Sequence, residues 1–460
     1  MGHPDTSMYV ALAAYVPFTG ICFWALGGRR AMLVSLVTGW LLLPWFNRYG
    51  RAVPILHLKE AFVPAIVLGA SLVLDSGSWR SLRLRSFDLP VLVATVSPFL
   101  TSLATGLGAY DGGSSALESF LVWGAPYMLG RVYLGTPAGA LDAAKAVVLS
   151  GLVSLPLILW EIRMSPQLHR QLYGFHQHSF VQHIRDGHYR PKLFMSHALM
   201  VGMLMAAAAL VAFWLWRTRA LKDIAGIRLG WAASALVIGT FLCRTTGAFV
   251  VLLVGIAVLE GTRWMRAPIL AIALALVPAT YCSLRVAGWD TAPLVVRAHR
   301  WFGPERAWSL QVRLANETRL VARDLERPWL GWGRWDHSRL KDEEGRDITI
   351  ADSMWIIAFG TTGLVGLISL GLILALPLLR FGRDIPTRVW DRARFAPAAA
   401  LAVSVGIWAV DNLFNAMPSP VFLMMSGAVL SFCMLVHSNR PRRRTAPVPR
   451  VPATAPAPSA

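Results

Sequence analysis

The sequence predicts an all-α integral membrane protein, a polytopic bundle of about 12 to 13 transmembrane helices. Three observations carry that prediction. Hydrophobic residues fill 55% of the 460 positions and charged residues only 15%, with a mean hydropathy of +0.51, a balance too apolar for a soluble domain. Apolar runs of about 20 residues, the length that crosses a hydrocarbon core, recur along the chain as far as Val436. The Lys and Arg residues behind the formal net charge of +19 fall in short loops between these runs. That placement is a topological signal, not a nucleic-acid-binding face.

The N-terminal region, 1–160, contains candidate spans at 8–26, 31–46, 61–74, 89–107, 116–134 and 143–160. No basic residue precedes the first run before its apolar stretch begins, so it is expected to remain as a membrane helix and not to be cleaved as a signal. A polar segment, 161–192, follows. The central region, 193–284, offers spans at 193–216, 227–243, 247–259 and 267–284, and a second, larger polar segment covers 285–353. The C-terminal region, 354–436, adds spans at 354–379, 396–410 and 418–436. Two runs, 61–74 and 247–259, are short enough to be tilted, half-inserted or extended into their flanks. The four cysteines, Cys22, Cys243, Cys282 and Cys433, all lie inside apolar runs without disulfide or zinc spacing, and read as small buried hydrophobes.

Lys and Arg accumulate on the cytoplasmic side of a membrane protein, which sets the orientation of the C-terminal half. Arg217, Arg219, Lys222 and Arg228 mark one inside loop, Arg263 and Arg266 a second, and Arg380, Arg383, Arg388, Arg392 and Arg394 a third. The tail, 437–460, rich in Pro, Ala and Arg, is expected to be disordered and cytoplasmic, near anionic headgroups. The segments 161–192 and 285–353 then face the other side as exported loops. The N-terminal quarter conflicts with itself, because Arg29 and Arg30, then Arg48, Arg51 and Lys59, then Arg80, Arg83 and Arg85 occupy three successive loops. Either one early run does not span, or the N-terminus lies outside.

A transporter places ionisable residues in mid-membrane, and here Arg131, Arg244 and Asp411 are the main candidates, each close to the end of an apolar run. Polar chemistry concentrates instead in the exported loops. The first carries His169, His176, His178, His183 and His188 among Arg163, Arg170, Arg185 and Arg190. Zinc binding is one reading of such a cluster; contact with phosphate and sugar hydroxyls is another; a solvated loop is the third. In the second loop, Leu310, Leu314, Val321 and Leu325 share one face of a helix that Pro328 ends. Trp329, Trp332 and Trp335 with Gly331 and Gly333 form an aromatic turn, suited to stacking on a sugar or to the interfacial belt. Asp352, at the outer end of the next apolar run, is either a general base or, with Ser353, a helix cap, and capping is the reading that chemistry alone favours.

The order of these features resembles the O-antigen ligase and O-antigen polymerase family. An amphipathic helix opening with Arg, the P-x-x-G-x-G turn at Pro328, Gly331 and Gly333, and W-x-x-x-x-G-x-x-G-L at Trp355, Gly360 and Gly363 carry the resemblance, together with FLCRTTGAFVVLLVGI around Arg244 and Gly247. It covers about 161–436. The resemblance implies a GT-C-like, metal-independent and inverting glycosyltransferase of the bacterial inner membrane, with no cofactor. Its donor would be a glycan on undecaprenyl pyrophosphate, its acceptor a glycan, lipid A core or a protein hydroxyl, and its remaining partners membrane lipids. By the same resemblance Arg244 and Arg313 hold the pyrophosphate, with Arg185 or Arg190 as weaker matches. Where the family has His then Asn, this chain has Asp352 and Ser353; Asp352 is the catalytic candidate, His337 a substitute, and Trp332 a glycan contact. The competing classes are a flippase of lipid-linked sugars, which needs no large exported loop, and a non-catalytic component of polysaccharide export.

Overall fold

A computed structural model describes residues 5–46, 58–177, 179–185, 187–334 and 336–438, with the Arg185 side chain excepted. The expected disordered tail therefore lies outside the described residues from 439 onward, as do Arg48, Arg51, His178 and Trp335. The described chain is mostly helical. The first helices are α1 (Thr6–Leu26), α2 (Gly28–Leu42), α3 (Lys59–Leu74), the short α4 (Ser76–Trp79), α5 (Leu89–Ala104), α6 (Gly108–Ser119), α7 (Ala125–Tyr133) and α8 (Pro137–Met164). A short α9 (Leu168–Tyr173) and a two-residue hairpin, β1 (Ile184–Arg185) with β2 (His188–Tyr189), precede α10 (Ala198–Arg217). A second hairpin, β3 (Asp223–Ile224) with β4 (Ile227–Arg228), leads to α11 (Leu229–Leu242), α12 (Thr246–Met265) and α13 (Ile269–Val286). The last helices are α14 (Ala292–Phe302), α15 (Pro304–Asp324), α16 (Met354–Asp384), α17 (Ala396–Asp411) and α18 (Pro420–Ser438).

Among the described residues, eight helices are long and apolar enough to cross a membrane, and α11 and α17 are shorter apolar helices. This is the architecture of a multi-pass membrane protein. Several expected boundaries move. The run 116–134 is not one helix: α6 and α7 are joined by a π-helical turn, Phe120–Gly124. The run 247–259 is part of the 20-residue α12, so of the three options for a short run it takes extension into its flanks. Residues 193–196 are not helical, and 161–164 belong to α8 instead of the loop.

The centre of the bundle is α10, α17 and α18. Ala206–Ala209 on α10 and Ala398, Ala399, Ala400 and Ala402 on α17 are fully buried; small side chains let helix backbones approach closely, which is how helices associate where lipid removes the hydrophobic drive. Around this centre the helix ends sort into two groups. At one end, Arg29 pairs with Asp142 at 2.9 Å, Arg131 with Asp88 at 2.9 Å, Arg217 with Glu260 at 2.9 Å and Arg263 with Asp391 at 3.2 Å. The opposite end carries both long polar segments. There the Asp5 amide donates to the Tyr173 carbonyl at 3.1 Å, and Lys59 Nζ donates to the Phe194 carbonyl at 3.0 Å.

These contacts place the early basic residues at different ends of the bundle, although α2 and α3 are shorter than the eight candidate spans. Each early run is a helix, and the start of α1 lies at the loop end of the bundle; Arg29 then falls at the basic end with Asp88 and Arg131, and Lys59 at the loop end. Arg131, a candidate for a transport path, is instead a clamp. Its guanidinium is buried against Asp88, donates to Ser431 Oγ at 2.7 Å, and lies over the Phe87 ring, while Tyr127 Oη donates to Asp88 Oδ1 at 2.6 Å.

The two glycine motifs of the sequence meet each other. Gly363 has φ 64° and ψ −161° and breaks α16 ten residues into the helix, a conformation essentially restricted to glycine. The break exposes backbone groups that the P-x-x-G-x-G turn then satisfies. The amides of Trp332 and Gly333 donate to the carbonyls of Gly360 (2.8 Å) and Thr361 (3.1 Å), and the amides of Leu364 and Val365 donate to the carbonyls of Pro328 (2.7 Å) and Trp329 (3.3 Å). Thr101 Oγ1 on α5 donates to the Leu330 carbonyl at 2.6 Å. Residues 364–384 beyond the break give about 30 Å of helix, one hydrocarbon core.

A side-chain carbon at Gly331 would collide with the Gly360 carbonyl and the Gly363 amide, and one at Gly363 with the Trp329 backbone. Gly331→Ala and Gly363→Ala are expected to destabilise the protein by about 1–3 kcal/mol each, read as a lower melting temperature in detergent. Gly371→Ala, on the same helix with open space around it, is expected to be neutral or mildly stabilising; equal melting of all three variants would contradict the docking.

Candidate active site

The docked turn sets α15 alongside the start of α16, and the site is built on that pairing. Glu317 on α15 is buried, and four donors from three other places converge on it: Ser353 Oγ at 2.6 Å, Tyr281 Oη at 2.7 Å, Arg285 Nε at 3.3 Å and Trp355 Nε1 at 3.3 Å. Arg285 Nη2 also donates to the Leu314 carbonyl and Thr318 Oγ1, both at 2.9 Å. A buried carboxylate is tolerable only with partners of this kind. The apolar stripe around it, with Leu314 and Val321 buried and Leu310 half-buried, matches the periodicity of the sequence, whereas Leu325 lies beyond the helix and is exposed.

One turn before Glu317 on α15 stands Arg313. Its Nη1 donates to the Phe414 carbonyl at 3.0 Å and to Asn415 Oδ1 at 3.3 Å, and its Nε lies 3.6 Å from Asp352 Oδ2. The capping reading of Asp352 is thereby corrected: the residue at the cap position of α16 is Ser353, and its hydroxyl is turned to Glu317 and caps nothing. Asp352 is left half-exposed beside a guanidinium. Asn415 Nδ2 in turn donates to Asp411 Oδ1 at 2.9 Å. Asp411 Oδ2 and both amide atoms of Asn412 are buried with no hydrogen-bond partner among the described residues.

Across from Asp411 is the start of α12. A methyl group at Gly247 would lie 3.9 Å from Asp411 Oδ1 and near no other group outside its own helix backbone, so the first turn of this helix sits beside the Asp411 carboxyl. Arg244 occupies the turn before α12 with φ 51°, a strained value for a residue with a side chain. The residue is half-buried, and its guanidinium has no polar partner among the described residues. Arg190 is buried, with Nη2 3.5 Å from Thr245 Oγ1. Arg190 and Arg244 thus flank Thr245 at a helix N-terminus, the part of a helix whose unpaired amides and dipole favour anions.

The structure therefore brings Arg190, Arg244, Arg313 and Asp352 to one end of the bundle, joined through Asn415 and Asp411. Trp332 and His337 make their contacts with other residues. The Trp332 ring is occupied, with the guanidinium carbons of Arg323 and Arg327 3.4 and 4.5 Å from its centre and its Nε1 donating to the Arg323 carbonyl at 3.2 Å. His337 is exposed, with Nε2 3.9 Å from Asp336. Arg185 pairs through its backbone with His188 in the first hairpin.

The first polar segment is not a solvated loop. His169 and His183 are buried. His169 Nε2 accepts from the Trp45 amide at 3.1 Å, so Nδ1 carries the proton and donates to the Phe175 carbonyl at 2.9 Å. Burial holds its pKa down to about 3, so it stays neutral and acts as a strut. Lys192 is buried with Nζ 3.3 Å from His183 Nε2, and burial draws its amine down to about 7 against the opposing pull of Glu161. Glu161 at the end of α8 accepts from the amides of Lys192, Leu193 and Leu168 at 2.7, 2.8 and 3.3 Å, and so fastens the segment that ends in Arg190 and Lys192.

Asp324, on the last turn of α15, faces Gly360 and Ser338. It is buried, and neither carboxyl oxygen has a hydrogen-bond partner among the described residues. Burial pushes its pKa up from 3.8 to about 8, with Arg323 pulling the other way. No family model matches the chain, and no curated protein matches it.

Two predictions follow from these carboxyls. Glu317→Ala strands Arg285 and is expected to cost about 3–5 kcal/mol, with Ser353→Ala costing about 1 kcal/mol; a Glu317→Ala protein that melts like the parent would contradict the network. For Asp324, the fold keeps a proton that the unfolded chain releases, so its share of stability is full near pH 4 and is lost as pH rises toward about 8. Asp324→Asn is expected to flatten the dependence of melting temperature on pH across that window, and parallel curves for the two proteins would refute the assignment.

Proposed function

We propose that the chain is a membrane glycosyltransferase that takes a glycan from undecaprenyl pyrophosphate and passes it to an acceptor hydroxyl, as an O-antigen ligase or surface-polysaccharide polymerase does. The observation that carries this reading is the convergence of Arg190, Arg244 and Arg313, far apart in sequence, with the carboxylate of Asp352 at the loop end of the bundle. In this reading the loop end faces the periplasm of a bacterial inner membrane and the basic end faces the cytoplasm, as the distribution of Arg requires.

The chemistry needs fixed positive charge where a pyrophosphate departs. Guanidinium groups supply planar, paired donors whose charge does not change with pH, and the N-terminus of α12 adds its dipole. The acceptor hydroxyl attacks the anomeric carbon from the face opposite the pyrophosphate. A carbon–oxygen bond forms to the acceptor, the bond from the anomeric carbon to the pyrophosphate oxygen breaks, and the configuration inverts. The hydroxyl proton passes to Asp352, which Arg313 holds in place. Acceptors in this reading are another glycan, lipid A core or a protein hydroxyl.

Transfer by the purified protein in vesicles, with an undecaprenyl-pyrophosphate-linked oligosaccharide as donor, tests the proposal. Arg244→Ala, Arg313→Ala and Asp352→Asn are each expected to lower the rate on the order of 100-fold without lowering the melting temperature to match. Full transfer by both arginine variants would overturn the site.

A further inference from the structure

We infer that the tip of the α14–α15 hairpin is a membrane-surface anchor, a wedge of aromatic side chains seated in the anionic headgroup layer at the loop end of the bundle. The inference is independent of the proposed reaction. Leu294 and Val295 on α14 pack against the cluster of Tyr281, Leu314 and Trp355, and thereby fix the hairpin to the bundle. The large apolar side chains nearest the tip of the hairpin are turned away from the protein. Trp301 is 71% exposed, Trp308 68%, Val296 60% and Phe302 44%, and the rings of Trp301 and Phe302 sit edge to face with centres 6.5 Å apart. Gly303, at φ 85°, makes the tight reversal that puts Trp301, Phe302 and Trp308 at one tip.

An apolar tip of this size is costly in water and marks a contact surface. Its surroundings say which contact. Arg297, His299 and Arg300 stand on α14 beside the aromatic residues, and Arg306 follows on α15, with Glu305 the single acid in 292–310. Tryptophan flanked by arginine on a short amphipathic helix is the composition of a segment lying in a headgroup layer, with rings at the acyl boundary and cations among phosphates. Continuity points the same way. α13 exposes Ile269, Leu276, Val277 and Leu284 along its length as a lipid-facing side would, and Trp289 is exposed in the five residues between α13 and α14. So short a link keeps the hairpin beside the point where α13 leaves the bilayer.

Spin labels on the full chain test the inference, attached at Trp301→Cys, at Trp308→Cys and, as an aqueous reference, at Glu343→Cys, with the unsubstituted protein reporting any label on its four native cysteines. The protein is placed in phosphatidylglycerol-containing vesicles and in neutral phosphatidylcholine vesicles, and each label's collisions with oxygen and with a water-soluble nickel complex are compared. The expected result is a several-fold higher oxygen-to-nickel ratio at positions 301 and 308 than at 343, larger in the anionic vesicles, with that excess lost in Arg297→Ser/Arg300→Ser. Nickel access at 301 and 308 equal to that at 343 would overturn the inference. So would labels shielded from both reagents in vesicles and detergent alike, which would mean that protein covers the tip.

Discussion

Helical backbone can be interrupted near a membrane only where something else meets the freed amides and carbonyls. In this chain the interruption is at Gly363, and what meets it is the turn from Pro328 to Gly333. Four backbone hydrogen bonds fix the register between the end of the large polar segment and α16, and the close approach of Gly331 to Gly360 and Gly363 leaves no room for side chains. α15 ends four residues before that turn, so its position against α16 follows. The Glu317 contact to Ser353 and the Arg313 approach to Asp352 are then consequences of one docking event.

From this follows a division of labour among the charged groups. Glu317, Glu161 and Asp88 are buried and matched, and they hold elements together. Arg244 and Asp352 are more open and less matched, and Arg313 bridges both kinds by bonding the end of α17 while facing Asp352. Groups of the first sort account for stability. The functional proposal rests on groups of the second sort, which keep more solvent exposure, and not on the buried histidines of the first polar segment.

Much of this was legible in the sequence. Apolar run length located the helices, and helical periodicity placed Leu314 and Val321 on the buried side of α15. The glycines at 331, 333, 360 and 363 stood out as motifs, yet their mutual docking did not, because spacing along a chain carries no information about which carbonyl an amide will reach. Glu317 stands out in the sequence only as a carboxylate beside an apolar stripe, and its four donors come from segments that no local spacing connects to it. His169 and His183 looked like surface groups because their neighbours in sequence are polar; their burial depends on Trp45, Phe175 and Lys192, which no local pattern connects. That the start of α1 lies beside the first polar segment needed the contact of Asp5 with Tyr173, which basic loops alone do not reveal.

The central proposal is that Arg244 and Arg313, both at the loop end, together hold a pyrophosphate. An electron-microscopy map of the chain in nanodiscs, with a non-cleavable prenyl bisphosphonate bound, tests it most directly. The account predicts density for both phosphorus atoms within hydrogen-bonding reach of the two guanidinium groups, beside the first turn of α12. Density at the opposite end of the bundle, near Arg380 and Arg383, would contradict it.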